Sequence, residues 1–468
     1  QGKGQYQKSN VATYKAWSKV KLTLDGGIVK GVYYICGNKS SMNLLDELSW
    51  RGMIQDIMPG TREQIEKEMT TGYIGFDPTA DSLHIGSLVP ILLLVHFQKA
   101  GHKPIALVGG ATGMVGDPSG KSEERNLLNE ETLQKNITGV KAQLAKFLNF
   151  SPTLPNAAEL VNNYDWFKSI SFIDFLRDTG KHITVNYMMA KDSVKKRIEG
   201  ESGISYTEFA YQLMQAYDFY WLYQHKQCKL QMGGSDQWGN MTTGTELIRR
   251  KCGGEAFVFT NPLITKSDGG KFGKTEAGNI WLDPAKTSPY QFYQFWLNTS
   301  DNDATRWVKL FTFLAQEEIE KIISLHEQNP AARLLQRTLA AEITSFVHGQ
   351  DEMSKAMETT EKLFSNQQAP IESLSEADLE QIQGVVKVEI ERNILRDGVD
   401  IITLLANTGI FPSKGEARKT TQGGGVSINR KKVETVDIKV NESFLLHNRY
   451  ILVQKGKKNY FLITVKAV

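Results

Sequence analysis

The chain has 468 residues, 40% of them hydrophobic and 23% charged, with a net charge of +3. That length allows two to four domains and at least one large core. No apolar run reaches the ~18 residues a membrane helix needs. The three cysteines, Cys36, Cys228 and Cys252, form no CxxC pair. Neither a disulfide framework nor a zinc site is expected, and the composition suits a reducing compartment such as the cytoplasm.

Residues 1–41 carry seven lysines, one aspartate and no arginine. They lack the apolar stretch of a signal peptide and the composition of a transit peptide. The first methionine, Met42, opens MNLLDELSWRGM with helical apolar spacing. Residues 1–41 are therefore expected to be a leader or appended extension without fixed structure. Apolar spacing predicts helices over 42–57 and 61–69, then a buried strand at GYIGF (72–76). An apolar helix over 86–100 stops at Gly101. KPIALVGG reads as the next strand. A long helix is predicted over 205–225, then a strand at KLQMGG and a strand-to-helix turn at SDQWGNMTTGTELIRR. AFVFTNPLIT reads as a further strand, followed by the Gly/Lys loop SDGGKFGKTEAG. Strand alternating with helix predicts a parallel sheet with ligands at the strands' carboxyl ends.

From 288 to 364 the pattern is helical. SNQQAPIESLSE, with Pro370, reads as a polar linker. IFPSKGEARKTTQGGGVSINRKKVE reads as helix, glycine turn and β-alternation. The expected divisions are an alternating strand–helix domain over 42–287, a helical domain over 288–365, a linker over 366–399 and a small domain over 400–468. Residues 42–395 hold 35 basic and 45 acidic groups, whereas 396–468 hold 13 and 6. An acidic body with a basic tail suggests that the tail meets a polyanion; a solvated basic surface is the other reading.

Two glycine-rich stretches could cradle phosphate through backbone N–H groups, or be plain tight turns. GDPSGKS (116–122) is one residue short of a Walker A loop, and GGATGMVG does not fit GxGxxG. His84 alone reads as a helix-start histidine with a structural hydrogen bond, and KFGKT (271–275) alone as a solvated loop. Together they supply two donor clusters able to clamp a triphosphate, one of them at a helix N-terminus.

HIGS (84–87) resembles the HIGH motif, and KFGKT the KMSKS motif, of class I aminoacyl-tRNA synthetases. Around them stand YIGFDPTADSLHIG, PIALVGGATGMVGDPSGK, NNYDW, VNYMMAK, FAYQLMQAYDF, QMGGSDQWGN and KTSPYQFYQFW. With these motifs, residues 42–468 resemble the tyrosyl-tRNA synthetases of bacterial and mitochondrial type. The resemblance implies an α/β fold: a Rossmann-like parallel-sheet catalytic domain, an α-helical anticodon-side domain, and a small α+β S4-like RNA-binding domain. It also implies a homodimer in which one tRNA contacts both subunits.

The reaction it implies has two steps. The tyrosine carboxylate attacks the α-phosphorus of ATP, giving tyrosyl-adenylate and pyrophosphate. The tyrosyl group then passes to the 2′-hydroxyl of the terminal adenosine of tRNA(Tyr). No protein nucleophile is needed, so the protein positions the reactants and neutralises charge. Thr79 and His84 match γ-phosphate contacts. Lys121, Arg125, Lys271, Lys274 and Thr275 match a mobile pyrophosphate clamp. Gly75, Asp77, Gly86, Ser87, Gly234 and Asp236 belong with His84 and Lys274 to the ATP site, and Mg²⁺ is expected with ATP. Tyr73 and Asp218 match the groups that hydrogen-bond the substrate phenol, and Asp117, Tyr211 and Gln215 the ammonium site, with Gln237 nearby. Tyr211, Gln215 and Asp218 fall on one helix face. Phenylalanine would leave the phenol site's polar groups unpaired, so no editing domain is needed. Lys414, Arg418, Lys419, Arg430, Lys431 and Lys432 match tRNA phosphate contacts.

The sequence departs from HIGH at Ser87, where the family has histidine, so that contact with the nucleotide is expected to be shorter or water-mediated. Asp218 opposite Tyr73, together with the tail, disfavours a tryptophanyl enzyme of the same class. Intact Lys271, Lys274, Asp218 and Gln215 disfavour an inactive RNA binder. The KFGKT loop and tail disfavour a nucleotidylyltransferase with an HxGH motif.

Overall fold

The computed structural model describes residues 21–24, 27–30, 43–117, 119, 129–200, 203–270, 272–275, 278–364, 371, 374–376, 379, 385–456 and 459–466. Within the segment expected to lack structure, β1 (Lys21–Leu24) and β2 (Gly27–Lys30) pair as an antiparallel hairpin.

The centre is a five-stranded parallel sheet of β3 (Thr71–Phe76), β4 (Lys103–Val108), β5 (Glu159–Asn162), β6 (Cys228–Gly234) and β7 (Phe257–Asn261). The spatial order is β5-β4-β3-β6-β7. The chain runs outward from β3 to β5, then returns to place β6 on the other side of β3. The carboxyl ends of β3 and β6 therefore flank a topological switch point, where such sheets bind ligands. The Leu88–Lys99 helix is buried along nearly its whole length, as a helix apolar all round must be.

The first predicted helix is shorter than expected. It spans Leu44–Trp50, and Gly52, at φ +75°, turns the chain away. Residues 55–58 then pair with β7 through Gln55 N–H to Thr260 O at 2.7 Å and Met58 N–H to Val258 O at 2.9 Å. β5 and the short helices between 164 and 198 have no counterpart in the sequence reading, because each carries too few residues to show a period.

The helical region contains Pro289–Leu297, Asp301–Phe311, Gln316–Gln328, Leu334–His348 and Gln350–Phe364. Its buried aromatics share one core with the Leu88–Lys99 helix and the sheet. In the loop that precedes this region, β8 (Lys274–Thr275) and β9 (Gly278–Asn279) form a small hairpin. The C-terminal sheet has the order β10-β16-β15-β12-β13, with β10 Val386–Ile390, β12 Val426–Ile428, β13 Lys431–Lys432, β15 Tyr450–Lys455 and β16 Asn459–Val465. A lesser pair joins β11 (Val399–Asp400) to β14 (Lys439–Val440).

Part of the span read as linker is structural. β10 pairs parallel to β16, and Ile371, Leu374, Leu379 and Val385 are buried. They join Tyr450, Leu452, Tyr460 and Leu462 on the core shared with the helical region. The other face of the C-terminal sheet covers a core of its own, with Leu395, Ile401, Leu405 and Phe411. Among the described residues no helix is long and apolar enough to cross a membrane.

Candidate active site

The motifs cluster just past carboxyl ends of the central strands. Asp77 follows β3, Gly109–Asp117 follows β4, Asn163 follows β5, Ser235–Gln237 follows β6, and the KFGKT loop follows β7.

At the floor, Tyr73 is 1% exposed and its hydroxyl has no hydrogen-bond partner among the described residues. Its ring rests on Phe219, 5.4 Å between centroids. Asp218 faces it from the Tyr206–Lys226 helix, which Ser205 caps by accepting from Glu208 N–H. Trp166 Nε1–H donates to Asp218 Oδ1 at 2.9 Å, and Asn163 Nδ2–H to Oδ2 at 3.0 Å. Burial pushes the Asp218 carboxyl up to about 8, against the pull of those two donors. Burial, then the Asp218 charge, raises the Tyr73 phenol well above its usual value, so Tyr73 stays a donor. Asn163 and Trp166 lie in NNYDW, where sequence alone assigns them no role. Two hydrogen-bond donors directly after a strand are the signal that could have found them.

Above the floor stand two hydrogen-bonded groups, Asp77 with Tyr211 and Asp117 with Gln215 and Gln237, close enough for the Asp117 charge to reach the Tyr211 phenol. Tyr211 Oη–H donates to Asp77 Oδ2 and Thr112 Oγ1–H to Oδ1, both at 2.8 Å. Gln237 Nε2–H donates to Asp117 Oδ2 at 2.6 Å, and Ser119 N–H to Oδ1 at 2.9 Å. Asn240 Nδ2–H reaches Gln215 Oε1 at 3.0 Å and Gln237 Oε1 at 3.2 Å. Burial first, then Asp77 and Asp117, raises the Tyr211 phenol well above its usual value. The family resemblance puts Asp77 with ATP, whereas these hydrogen bonds tie its carboxylate to Tyr211 and Thr112. Thr112, which holds the first group, and Asn240, which holds the second, are not among the residues the motifs single out. Gly109 is required here, because a Cβ would lie 2.1 Å from Asp77 Oδ1. Asp236 folds back towards Gly234, whose Cβ would meet Asp236 Oδ1 at 2.5 Å.

GGATGMVG is a tight turn. Gly109, Gly110, Ala111, Gly113, Met114, Val115 and Gly116 all donate their N–H groups to protein acceptors, leaving too few for a phosphate cradle. In GDPSGKS, Pro118, Gly120, Lys121 and Ser122 lie outside the described residues, as do Arg125 and Lys271.

At the mouth, His84 precedes a short turn, Ile85–Ser87, and its Nδ1 accepts from Gly86 N–H at 3.0 Å. The neutral tautomer then carries its hydrogen on Nε2. The ring lies so close over Gly86 that a Cβ there would sit 2.7 Å from it. Ser87 is half-buried and spends no side-chain hydrogen bond on capping the next helix. Thr79 and Gly75 are exposed. The two motifs, expected on opposite sides of a nucleotide, are laddered together by their backbones. Ile85 N–H bonds Ile280 O at 3.0 Å, Leu282 N–H bonds Leu83 O at 2.9 Å, and Ile280 N–H bonds Gly273 O at 3.1 Å. Lys274 and Thr275 form β8, which pairs with β9.

In the C-terminal unit, Lys414, Arg418 and Lys419 are exposed on the Lys414–Gln422 helix. Arg430, at φ +65°, turns the chain between β12 and β13, and Lys431 and Lys432 are exposed. The Lys432 ammonium lies over Gly424, just past the end of that helix, which puts helix and turn together. Among the described residues no three His, Cys, Asp or Glu side chains are grouped to hold a metal ion.

A family profile described as tRNA synthetases class I (W and Y) matches residues 66–365. The switch-point sheet and the laddered HIGS and KFGKT motifs agree with it, and together they define a class I aminoacyl-tRNA synthetase. A second profile, the tyrosine–tRNA ligase SYY-like C-terminal domain, matches residues 378–463. The chain is 60% identical over 432 residues to the tyrosine–tRNA ligase of Bacteroides thetaiotaomicron, covering 91% of this chain and 100% of that one. The corresponding enzyme of Flavobacterium johnsoniae is 58% identical over 430 residues, 90% and 99% of the two chains. A C-terminally truncated mitochondrial tyrosyl-tRNA synthetase of Aspergillus nidulans superposes with a TM-score of 0.62 at 31% identity, covering 70% of this chain and 95% of that one. The chain belongs to the tyrosine–tRNA ligase family.

Proposed function

We propose that this tyrosine–tRNA ligase selects its amino acid through Tyr73 and Asp218 and activates it at the mouth formed by HIGS and KFGKT. The observation that carries the reading is the buried Tyr73 hydroxyl, without a partner among the described residues, opposite the Asp218 carboxyl group that Trp166 and Asn163 orient. A substrate phenol completes that pair, accepting from Tyr73 and donating to Asp218. Its ammonium is drawn to Asp77, Asp117 and Tyr211, with Gln215 and Gln237 beside them.

ATP, as its magnesium complex, lies against Gly75, Gly86, Ser87, Gly234 and Asp236, with Thr79 and the His84 Nε2–H towards its γ-phosphate. The tyrosine carboxylate bonds the α-phosphorus, and the bond to the bridging oxygen breaks. Lys121, Arg125, Lys271, Lys274 and Thr275 hold the departing pyrophosphate. Charge developing on that leaving group is what these cations meet, so they act chiefly in the transition state. The 2′-hydroxyl of tRNA(Tyr) then attacks the tyrosyl carbonyl, the anhydride bond to the phosphate breaks, and AMP and the hydroxyl proton leave, with Lys414, Arg418, Lys419, Arg430, Lys431 and Lys432 on the tRNA's phosphates. A cytoplasmic location fits that substrate and the free thiols of Cys228 and Cys252.

A homodimer belongs to the same reading. Phe172 and Ile173 are 62% and 68% exposed, and Leu176, Val185, Met189 and Ile198 are exposed in the same part of the chain. A second copy would cover this patch, and Phe172→Glu should then yield a monomer in sedimentation equilibrium. ATP–pyrophosphate exchange with each amino acid separately tests the activity. Tyrosine alone should support it; exchange with tryptophan and not tyrosine would overturn the reading.

A further inference from the structure

The loop after β7 is fastened to the helical region at two points. Ser267 N–H donates to Asp303 Oδ1 at 2.9 Å, and Ser267 Oγ lies 3.2 Å from Ser300 Oγ. Both partners belong to the start of the Asp301–Phe311 helix, which Ser300 caps. The second point is Phe272, the second residue of KFGKT. Its ring stacks on Phe311 at 5.4 Å and 18°, and meets Trp307 edge-on at 5.0 Å. Trp296 and Phe295 close the cage at 5.9 and 6.1 Å. The indole N–H groups of Trp296 and Trp307 find no acceptor among the described residues, so ring packing holds the cluster.

The next residue presses the other way. Gly273, at φ +81°, leaves only 3.0 Å between a Cβ and Ile85 Cγ1. A side chain there would be strained both by that contact and by its backbone. The loop thus runs from the helical region at Phe272 directly onto the turn that presents His84. Lys271 precedes Phe272 in sequence, and Lys274 follows Gly273.

We infer that Phe272 is a positioning residue for adenylate formation: seated among Phe311, Trp307, Trp296 and Phe295, it lets the helical region set where Lys271 and Lys274 meet the pyrophosphate. The inference rests on the clamp role proposed above for those lysines. A group that acts only on the departing pyrophosphate must be placed to within a fraction of an ångström. Ring packing supplies such placement because an aromatic cage has few alternative arrangements.

The test is a double-mutant cycle in ATP–pyrophosphate exchange. Phe272→Ala should slow exchange about 10- to 100-fold through kcat, while the KM for ATP and the tyrosine affinity by equilibrium dialysis each stay within about twofold. Phe311→Leu, which lies outside the loop, should reproduce the loss of kcat in weaker form. Phe272→Leu keeps apolar bulk and should recover part of the rate, which guards against loss of folding. In a Lys274→Ala background, Phe272→Ala should add little. If Lys274→Ala slows exchange and the two losses multiply, Phe272 does not act through the clamp and the inference falls alone. If Lys274→Ala leaves exchange unchanged, the clamp role falls and the inference falls with it. If Phe272→Ala weakens tyrosine and ATP alike, the ring is only part of the core and the inference falls.

Discussion

Tyr73→Phe should make the protein no less stable and at the same time a poorer discriminator. The hydroxyl is buried at the floor of the site, without a hydrogen-bond partner among the described residues. Leaving such a group unpaired costs about 1–3 kcal/mol. Removing it, while the ring keeps its contact with Phe219, should be neutral or stabilise by about 1 kcal/mol. In a core of this size that corresponds to a Tm unchanged or raised by roughly 1–3 °C. The bound state behaves oppositely. The substrate phenol loses one neutral hydrogen bond, worth about 0.5–1.5 kcal/mol, so kcat/KM for tyrosine should fall about threefold to tenfold. Activity towards phenylalanine should hardly change, so the ratio of the two narrows by the same factor. Thermal unfolding without ligand, and exchange kinetics with each amino acid, give both numbers. A Tm lowered by several degrees, or an unchanged tyrosine-to-phenylalanine ratio, would show that the hydroxyl has another partner and does not serve the phenol.

Burial holds the Asp218 carboxyl at about 8, far above the ~3.9 of an unfolded chain. The folded state keeps a proton that the unfolded state has lost, so this stabilising contribution is full below pH ~4 and lost as pH rises through about 8. Relative to Asp218→Asn, the parent should lose up to about 1.4 kcal/mol per pH unit between pH ~5 and ~8 in urea unfolding; parallel profiles would mean the carboxyl does not titrate there. Arg197 and Glu208, 6% and 2% exposed, pair at 2.8 Å beside the start of the Tyr206–Lys226 helix. Arg197→Ala strands a buried carboxylate and should cost about 3–5 kcal/mol, whereas Arg197→Met with Glu208→Leu should regain most of it; equal destabilisation of both variants in urea unfolding would contradict a desolvation penalty. Replacing Lys414, Arg418 and Lys419 by alanine should flatten the salt dependence of tRNA binding by about 0.7–0.9 in log–log slope for each phosphate no longer neutralised. An unchanged slope would remove that helix from the tRNA interface.

Elements with a strong local pattern are legible in the chain. The Leu88–Lys99 and Tyr206–Lys226 helices, and the strands around GYIGF, KPIALV and KLQMGG, lie within a few residues of their expected places. Each repeats its apolar residues often enough to select one period. The face bearing Tyr211, Gln215 and Asp218 is legible for the same reason, since helical spacing alone puts those residues together. β5 has four residues, and β10 has five within the span read as a linker; such pieces acquire strand character only from the neighbours they pair with.

The sequence by itself determined the chemistry available: which carboxylates, phenols and cations the chain owns, and which helix or strand end each one occupies. Those follow from local spacing and from side-chain type. It did not determine what each group does with its hydrogen bonds. That Asp218 is oriented by Asn163 and Trp166, that Asp77 belongs with Tyr211, and that Phe272 is gripped by a helix about forty residues further along are contacts between distant segments. A hydrogen bond or a ring contact depends on fractions of an ångström between elements that only the packed core brings together, and no local pattern encodes that distance.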